Sequence, residues 1–316
     1  RSFEGKAVRC LNWPGMKVSL ILESSNLEEG RGVEAFEQVM QFVAASVPDD
    51  CELLVADVIG SAEFCAALQA RHGRFRRVEA VGLNYDASKM RAVEAAQGEF
   101  LDGDCLPQPG WFEALTQALA SGHDACAGVT TYGSGFRNEL MSGLDFGCLF
   151  PWYPRNLECY ASNNCGFRRS LLLQFPFGFE GIRCGCYSHA QRLKAAGKPV
   201  WLVPEARVVH EPPPFLEEHS RQGYDLVMSG RWMPDSPEHR LVKAGLASMP
   251  LLYGLSVARD VRNLWRARRD FGWSALQLAA AWVLTPWLRV VDCLGMVRGF
   301  LGGKVAAGWG GFNPIA

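Results

Sequence analysis

Two carboxylates one residue apart, Asp102 and Asp104, follow the short apolar run Glu99-Phe100-Leu101. That spacing lets both reach one hard divalent cation. Oxygen ligands suit Mg2+ or Mn2+, which keep waters and take phosphate oxygens as their other ligands. Such a cation neutralises a diphosphate and helps it depart as a leaving group. The same triplet is also ordinary turn chemistry, since Asp and Gly are favoured in turns for backbone reasons. Two more polar clusters close apolar runs: Ser24 to Asn26 after residues 18–22, and Asp57 after residues 51–56.

Those clusters need elements to position them. Residues 17–22 and 51–57 are apolar runs that end in small polar residues, the pattern of buried parallel strands feeding loops. Residues 77–81 and 99–101 read as shorter strands. Helical patterns fall at 32–46, with Phe36, Val39, Met40 and Val43 on one face, and at 61–72, 87–97, 107–120 and 188–196. Gly98 and Gly197 are natural stops. Residues 199–203 and 207–209 are strand-like, and His210-Glu211-Pro212 closes this part of the chain. Strands alternating with helices predict an α/β sandwich on a mostly parallel sheet. In such sheets a ligand sits at the carboxyl ends of the strands, where the three polar clusters fall. No GxGxxG or GxxxxGK[ST] follows a strand, which weighs against dinucleotide-binding and P-loop readings.

The chain has 316 residues, 48% apolar and 21% charged, which excludes a disordered protein. With 32 basic and 33 acidic residues it has no footprint for nucleic acid, and no such partner is expected. The charge is unevenly spread. Residues 259–304 carry eight basic and three acidic side chains, and five of the ten tryptophans lie at or beyond Trp265. Residues 244–258 and 271–288 are uncharged for 15 and 18 residues, and Arg259, Arg262, Arg266, Arg268 and Arg269 cluster between them. A spanning helix wants roughly 20 apolar residues, so these stretches are short or borderline. Arg beside Trp and Leu suits helices lying in the headgroup plane. A hairpin packed on the body or on a second subunit is the other reading. Eleven cysteines, an odd number without a CxxC pair, read as reduced thiols.

Several segments, in order, resemble the family 2 glycosyltransferases with the GT-A fold. Ala95-Ala96-Gln97-Gly98-Glu99 through Asp102-Gly103-Asp104 to Pro109-Gly110-Trp111 is similar to the family's A-x-G-E, strand, D-x-D and P-G-W run. Residues 18–26 resemble its first strand and loop, 52–61 its E-I-I-V-V-D-D-G-S segment, and 163–169 its N-x-A-F-R-R segment. Arg192-Leu193 to Gly197 and residues 203–210 resemble its R-L-x-x-x-G and P-x-A-x-V-x-H ends. About two thirds of the chain is covered. The resemblance implies a GT-A-like α/β/α sandwich over residues 1–220, followed by a helical, membrane-interfacial region over 221–316. It implies a nucleotide-diphosphate-sugar site with Ser24 and Asn26 in the first loop, Asp57 at the nucleobase, Asp102 at the ribose and Asp104 on the metal. Asp102 and His210 complete the expected metal site, and Trp111 and Asn164 the acceptor side.

The sequence departs from that pattern in three places. Val58 replaces the second Asp of D-D-G-S, and the link from Glu99 to the D-x-D is about three residues short. The family's acidic pair before R-L falls on Gly185-Cys186, neither of which can act as a carboxylate base. An inverting transfer needs a group to take the acceptor proton. Glu180 is the nearest carboxylate and His189 the nearest imidazole, so they are the expected bases. The expected function is divalent-metal-dependent transfer of a sugar, with inversion, from a nucleotide-diphosphate sugar to a saccharide or lipid-linked acceptor. The setting would be the cytoplasmic face of a cell membrane, in a chain that could form homo-oligomers. A nucleotide-sugar-binding subunit that has lost its base is the alternative.

Overall fold

The computed structural model describes residues 16–24, 33–61, 73–103, 105–152, 155–177, 185–212, 214–230 and 237–302, with Phe64, Ala66, Ala70 and Arg71 between. The expected sandwich is present. Strands β1 (Val18–Glu23), β2 (Glu52–Asp57), β3 (Phe75–Glu79) and β4 (Glu99–Asp102) form a parallel block in the order β3-β2-β1-β4. All six β1 residues are buried, as a strand covered on both faces requires.

Alternation along the strands sends neighbours to opposite layers. Leu20, Leu22, Leu53 and Val55 join Phe36 and Met40 of helix α1 (Val33–Ala45) and Leu115 and Leu119 of α3 (Trp111–Ala120). Ile21, Leu54 and Phe100 face the other way, to Met90 and Val93 of α2 (Tyr85–Ala95), Leu171 of α5 (Arg169–Gln174) and Leu193 of α6 (Gly185–Ala195). The Asn84 side chain caps α2 by accepting from the Ala87 N–H at 2.9 Å.

The rest of the sheet continues β4-β8-β6-β9-β5, and β7 (Asn156–Leu157) pairs with β9. Strand β8 (Cys165–Phe167) is antiparallel to both β4 and β6 (Ala125–Thr131). The two strand-like stretches around residue 205 are one strand, β9 (Val200–Val209), parallel to β6. Its register with β6 slips between Gly128 and Val129, so that Gly128 opposes Val203 while Val129 opposes Arg207. Pro107 belongs to the short strand β5 (Leu106–Pro107), not to the helix expected from there; α3 starts four residues later, behind Gly110 at φ 85°.

After β6 comes α4 (Phe136–Asp145). The C-terminal part holds α7 (Phe215–Gly230), α8 (Pro237–Lys243), α9 (Met249–Ala267) and α10 (Ala275–Phe300). Residue 220, the expected boundary, falls inside α7. Helices α7 and α10 pack backbone to backbone at Gly223 and Gly295, and Gly299 makes room for the Val227 side chain; a side chain at Gly295 would collide with the Ser220 carbonyl. Two charged groups of α10, Arg289 and Asp292, point inward. Arg289 pairs with Asp260 of α9 at 2.5 Å and with Asp292 at 2.5 Å, and donates to the Leu144 carbonyl at 3.1 Å. His219 of α7 bonds Asp292 at 2.8 Å. Burial alone would push the Asp292 carboxyl up, but the His219 hydrogen bond and the Arg289 charge hold it below its ordinary value. By length and composition α10 is the described helix apolar enough to cross a membrane.

Candidate functional site

Three strand ends meet at one edge of the sheet, because β2, β1 and β4 are adjacent and parallel. Ser24, Asp57 and Asp102 stand at these ends, all buried. The Ser24 N–H extends the ladder to the Ala56 carbonyl at 3.0 Å, and its Oγ accepts from the Val58 N–H at 3.0 Å. Asp57 Oδ1 accepts from the N–H groups of Ile59 and Gly60, each at 3.0 Å, while Arg77 Nε donates to Oδ2 at 2.7 Å. The Asp57 carboxylate is thus held rigidly in the turn after β2.

Asp102 is held differently. Lys89 of α2 donates to its Oδ2 and also to the Tyr85 hydroxyl, and neither Lys89 nor Asp102 is exposed. The ammonium lies 4.1 Å from the centre of the Tyr85 ring, and the Tyr85 hydroxyl is 3.3 Å from Ser162 Oγ. Gly103 continues the β1–β4 ladder by donating to the Ile21 carbonyl at 3.0 Å. A Cβ there would sit 3.1 Å from the Leu20 side chain, so a larger residue between the two aspartates would require Leu20 and Leu22 to give by a few tenths of an ångström. Sequence reasoning missed Lys89. Its signal is a lysine whose helical neighbours Ser88, Ala92 and Val93 lie on the buried face of α2.

Asp104, Asn26 and Glu180 lie outside the described residues. His210 follows β9 and donates its backbone N–H to the Thr131 carbonyl at 2.7 Å. Its ring meets Tyr132 edge-on at 5.9 Å, and Nδ1 is 2.6 Å from the Glu211 carbonyl. The antiparallel β5–β9 ladder pairs Leu106 with Val209. His210 therefore continues β9 beside the segment that leaves the D-x-D triplet. Among the described residues no three His, Cys, Asp or Glu side chains gather as a metal site.

Trp111 and Asn164 are not in the crevice. The Trp111 indole N–H donates to Asn164 Oδ1 at 2.9 Å, and Asn164 Nδ2 donates to the carbonyls of Val129 and Ala206, each at 3.1 Å. Both side chains are enclosed. The Asn164 amide satisfies carbonyls at the β6–β9 slip and the Trp111 indole holds that amide in place, so the pair is a clamp on that irregularity and not an acceptor surface.

His189 is likewise a core residue. Nε2 donates to the Phe175 carbonyl at 2.8 Å, which leaves Nδ1 to accept from the Tyr160 hydroxyl at 2.6 Å. Both nitrogens are engaged and the ring is unexposed. Burial pulls its pKa down to about 4, with the Phe175 carbonyl opposing and the Arg192 charge assisting. An imidazole enclosed in this way is not aimed at a substrate. Cys186, one of the residues standing where the acidic pair was expected, is no substitute either: burial pushes its thiol up to about 11.

A different carboxylate reaches that place. A Cβ built on Gly185, at the start of α6, would lie 3.5 Å from Asp86 Oδ2. Asp86 sits in the first turn of α2 and is half-buried. Burial raises its pKa to about 6 even though the Lys89 charge opposes the rise. Its sequence gave no hint beyond that of a helix-start acid, because the contact joins residues 99 positions apart.

No family model matches the chain, and no curated protein matches it in sequence. Solved structures do. Mannosyltransferase PcManGT from Pyrobaculum calidifontis, in complex with GDP-Man and Mn2+, is 13% identical with a TM-score of 0.58, over 91% of this chain and 88% of that one. A mycobacterial protein is 18% identical at a TM-score of 0.46, over 71% and 81%. S. aureus TarS (residues 1–349) is 11% identical at 0.40, over 93% and 95%. The first of these likenesses shows the fold: a GT-A-like α/β sandwich with a sheet of mostly parallel strands and an apolar C-terminal helix.

Proposed function

We propose that the chain transfers a sugar from a nucleotide-diphosphate sugar to a saccharide or lipid-linked acceptor, with inversion. The observation that carries this is the convergence of Ser24, Asp57 and Asp102 at three adjacent strand ends of a sheet that shares its fold with a mannosyltransferase. In this reading Asp57, fixed by Arg77, faces the nucleobase, and Asp102, fixed by Lys89, faces the ribose.

A divalent cation, Mg2+ or Mn2+, suits a donor set of hard carboxylate oxygen after β4 and imidazole nitrogen after β9. Because Lys89 already engages Asp102, Asp104 and His210 would hold the ion, with Asp102 a weaker contributor. When bound it supplies charge neutralisation to the departing diphosphate. The chain's own task is the proton. As the acceptor oxygen bonds to the anomeric carbon, the bond from that carbon to the diphosphate oxygen breaks, and the hydroxyl proton must go to a base. Asp86 is favoured for this, because its raised pKa suits proton uptake near neutrality and it stands beside the start of α6. Glu180, in the segment ahead of α6, is the second carboxylate.

Helices α9 and α10 would seat the protein on the inner face of a membrane. Every exposed position of α10 from Ala275 to Leu294 is apolar, and Arg259, Arg262, Arg266 and Arg269 are exposed on and just after α9. Trp265 of α9 lies 5.8 Å from Trp282 of α10, which joins the basic and apolar surfaces.

The test is a dialysed sample given Mn2+ and a panel of nucleotide sugars. Slow hydrolysis of one donor is the expected result. Donor binding without turnover, even with envelope extracts, would indicate a binding subunit, and no binding of any donor would refute the reading.

A further inference from the structure

Parallel strands β6 and β9 end together, with Thr131 opposite Val209. The next residue on each, Tyr132 and His210, therefore stand side by side, and their rings meet edge-on at 5.9 Å. His210 is half-buried, and its Nδ1 lies 2.6 Å from the Glu211 carbonyl. A carbonyl only accepts, so Nδ1 carries the proton and Nε2 carries the lone pair that can meet a cation. Phe146 packs against both rings, 5.1 Å from Tyr132 and 6.4 Å from His210. The orientation of His210 thus depends on the edge that Tyr132 presents to it.

Tyr132 is itself fixed at both ends. Its backbone N–H donates to Ser142 Oγ of α4 at 2.8 Å, and its hydroxyl donates to Asp145 Oδ2 at the end of α4, also at 2.8 Å. The Asp145 carboxylate is enclosed, and α7 faces its other oxygen: Gln222 Nε2 is 3.4 Å from Oδ1 and His219 Nε2 is 3.5 Å from it. His219 is tied through Asp292 to Arg289 of α10, and Arg289 donates to the carbonyl of Leu144, the residue before Asp145. The last turn of α4 is therefore gripped by α7 through a side chain and by α10 through the backbone. Apolar packing would hold these helices together about as well as buried charges do. What the charges add is direction, because they fix where the Tyr132 hydroxyl points.

We propose that Tyr132 and Asp145 are positioning residues that set the His210 ring for the divalent cation, with His219 and Arg289 as their support. The proposal rests on the metal-dependent transfer reading and deepens it: helices α7 and α10 become part of what shapes the donor site.

The experiment is titration of Mn2+ into the full chain with each of GDP, UDP, CDP and dTDP. Free Mn2+ is followed by electron paramagnetic resonance, and nitrogen bound to the ion by electron spin-echo modulation. The unmodified chain is expected to show that modulation, and His210→Ala to lose it. Tyr132→Phe keeps the ring and loses the hydroxyl. It should weaken Mn2+ binding about tenfold, the lower end of what loss of a ligand's supporting partner costs. Asp145→Ala should cost as much, and Tyr132→Phe/Asp145→Ala no more than either, since all three break one link. Asp145→Asn keeps an oxygen for the hydroxyl and should bind Mn2+ nearly as the unmodified chain does. Tyr132→Phe binding Mn2+ at full strength, while His210→Ala does not, overturns the positioning role and leaves His210 on the metal. Additive losses overturn it too, as does a loss in Asp145→Asn equal to that in Asp145→Ala, which would put the effect in the charge. Bound Mn2+ without nitrogen modulation in the unmodified chain removes His210 from the site and this inference with it. An unmodified chain that binds Mn2+ with none of the nucleotides overturns the metal-dependent transfer reading itself. If Asp145→Ala does not fold, Tyr132→Phe and Asp145→Asn decide.

Discussion

Lys89 and Asp102 form an ion pair in which neither side chain is exposed, and it ties the start of α2 to the end of β4. Removing one partner leaves an uncompensated charge in the interior, which costs about 3–5 kcal/mol. Lys89→Met is therefore expected to lower the thermal midpoint markedly, and Lys89→Met/Asp102→Asn to recover most of the loss. Equal midpoints for the single and double variants would mean that the pair does not matter to stability.

Asp86 gives a prediction with a sign. Its carboxyl binds a proton more tightly folded, at about 6, than at its ordinary 3.8. Folding stability thus falls as pH rises from about 4 through 6, and the cost is fully present at pH 7. Asp86→Asn should raise the melting temperature at pH 7, with the gain vanishing below about pH 4. Turnover should fall by about 10²–10⁴-fold in that variant while donor binding is kept. In the unmodified chain turnover should decline as the pH drops below about 6. Full activity of Asp86→Asn would transfer the role to Glu180.

His189 behaves in the opposite sense. Its folded pKa of about 4 lies below the ordinary 6.5. The stability that its neutral ring contributes is intact above about 6.5 and is lost as the pH falls toward 4. Replacing it with Phe should flatten that slope, cost about 1–3 kcal/mol through the unpaired Tyr160 hydroxyl and Phe175 carbonyl, and leave the pH profile of turnover unmoved. A shifted turnover profile would reinstate His189 as a base.

Metal dependence is expected to sit on Asp104. Asp104→Asn should remove most divalent-dependent donor binding, as should EDTA. Asp102→Asn should weaken donor binding with less effect on the metal. Donor affinity indifferent to both EDTA and Asp104→Asn would exclude the cation.

Sedimentation with anionic vesicles tests the C-terminal face. Trp287→Ser and Leu294→Ser should weaken binding, and each of Arg262→Glu and Arg266→Glu should weaken it by about fivefold or more at low salt, a charge near an anionic surface contributing about 1 kcal/mol. Added salt should reduce the arginine effect and spare the tryptophan one.

The parallel block was legible in the sequence because its strands are short apolar runs closed by polar residues, and residues 18–23 and 52–57 are the clearest. Strand β8 was not, since three residues, Cys165–Phe167, carry no usable period. Ser24, Asp57 and Asp102 were legible because local sequence places a strand end. Lys89, Asp86 and Arg77 were not, because their partners lie on other elements and only the sheet order brings them together. Trp111 and Asn164 misled for a related reason: a polar pair inside a sandwich looks, in one dimension, like a pair at a site. The direction of α10 was hidden too, since Arg289 and Asp292 suggest a wet face and in fact mark the buried one.

Strand β8 also sets an order of assembly. It joins β4 through Phe100 to Phe167 and β6 through Ala127 to Cys165, and its middle residue is Gly166, where a Cβ would press on Leu101. All the parallel pairs of β1 to β4 are complete once residue 102 has been synthesised, whereas β6 waits for β9. Until residue 167 leaves the ribosome β6 has no partner strand, and the β1–β4 block stands alone as an N-terminal platform. The N-terminal platform then carries an open strand edge at β4, the side on which Asp102 stands, and a nascent chain stalled before that point exposes that edge to other chains.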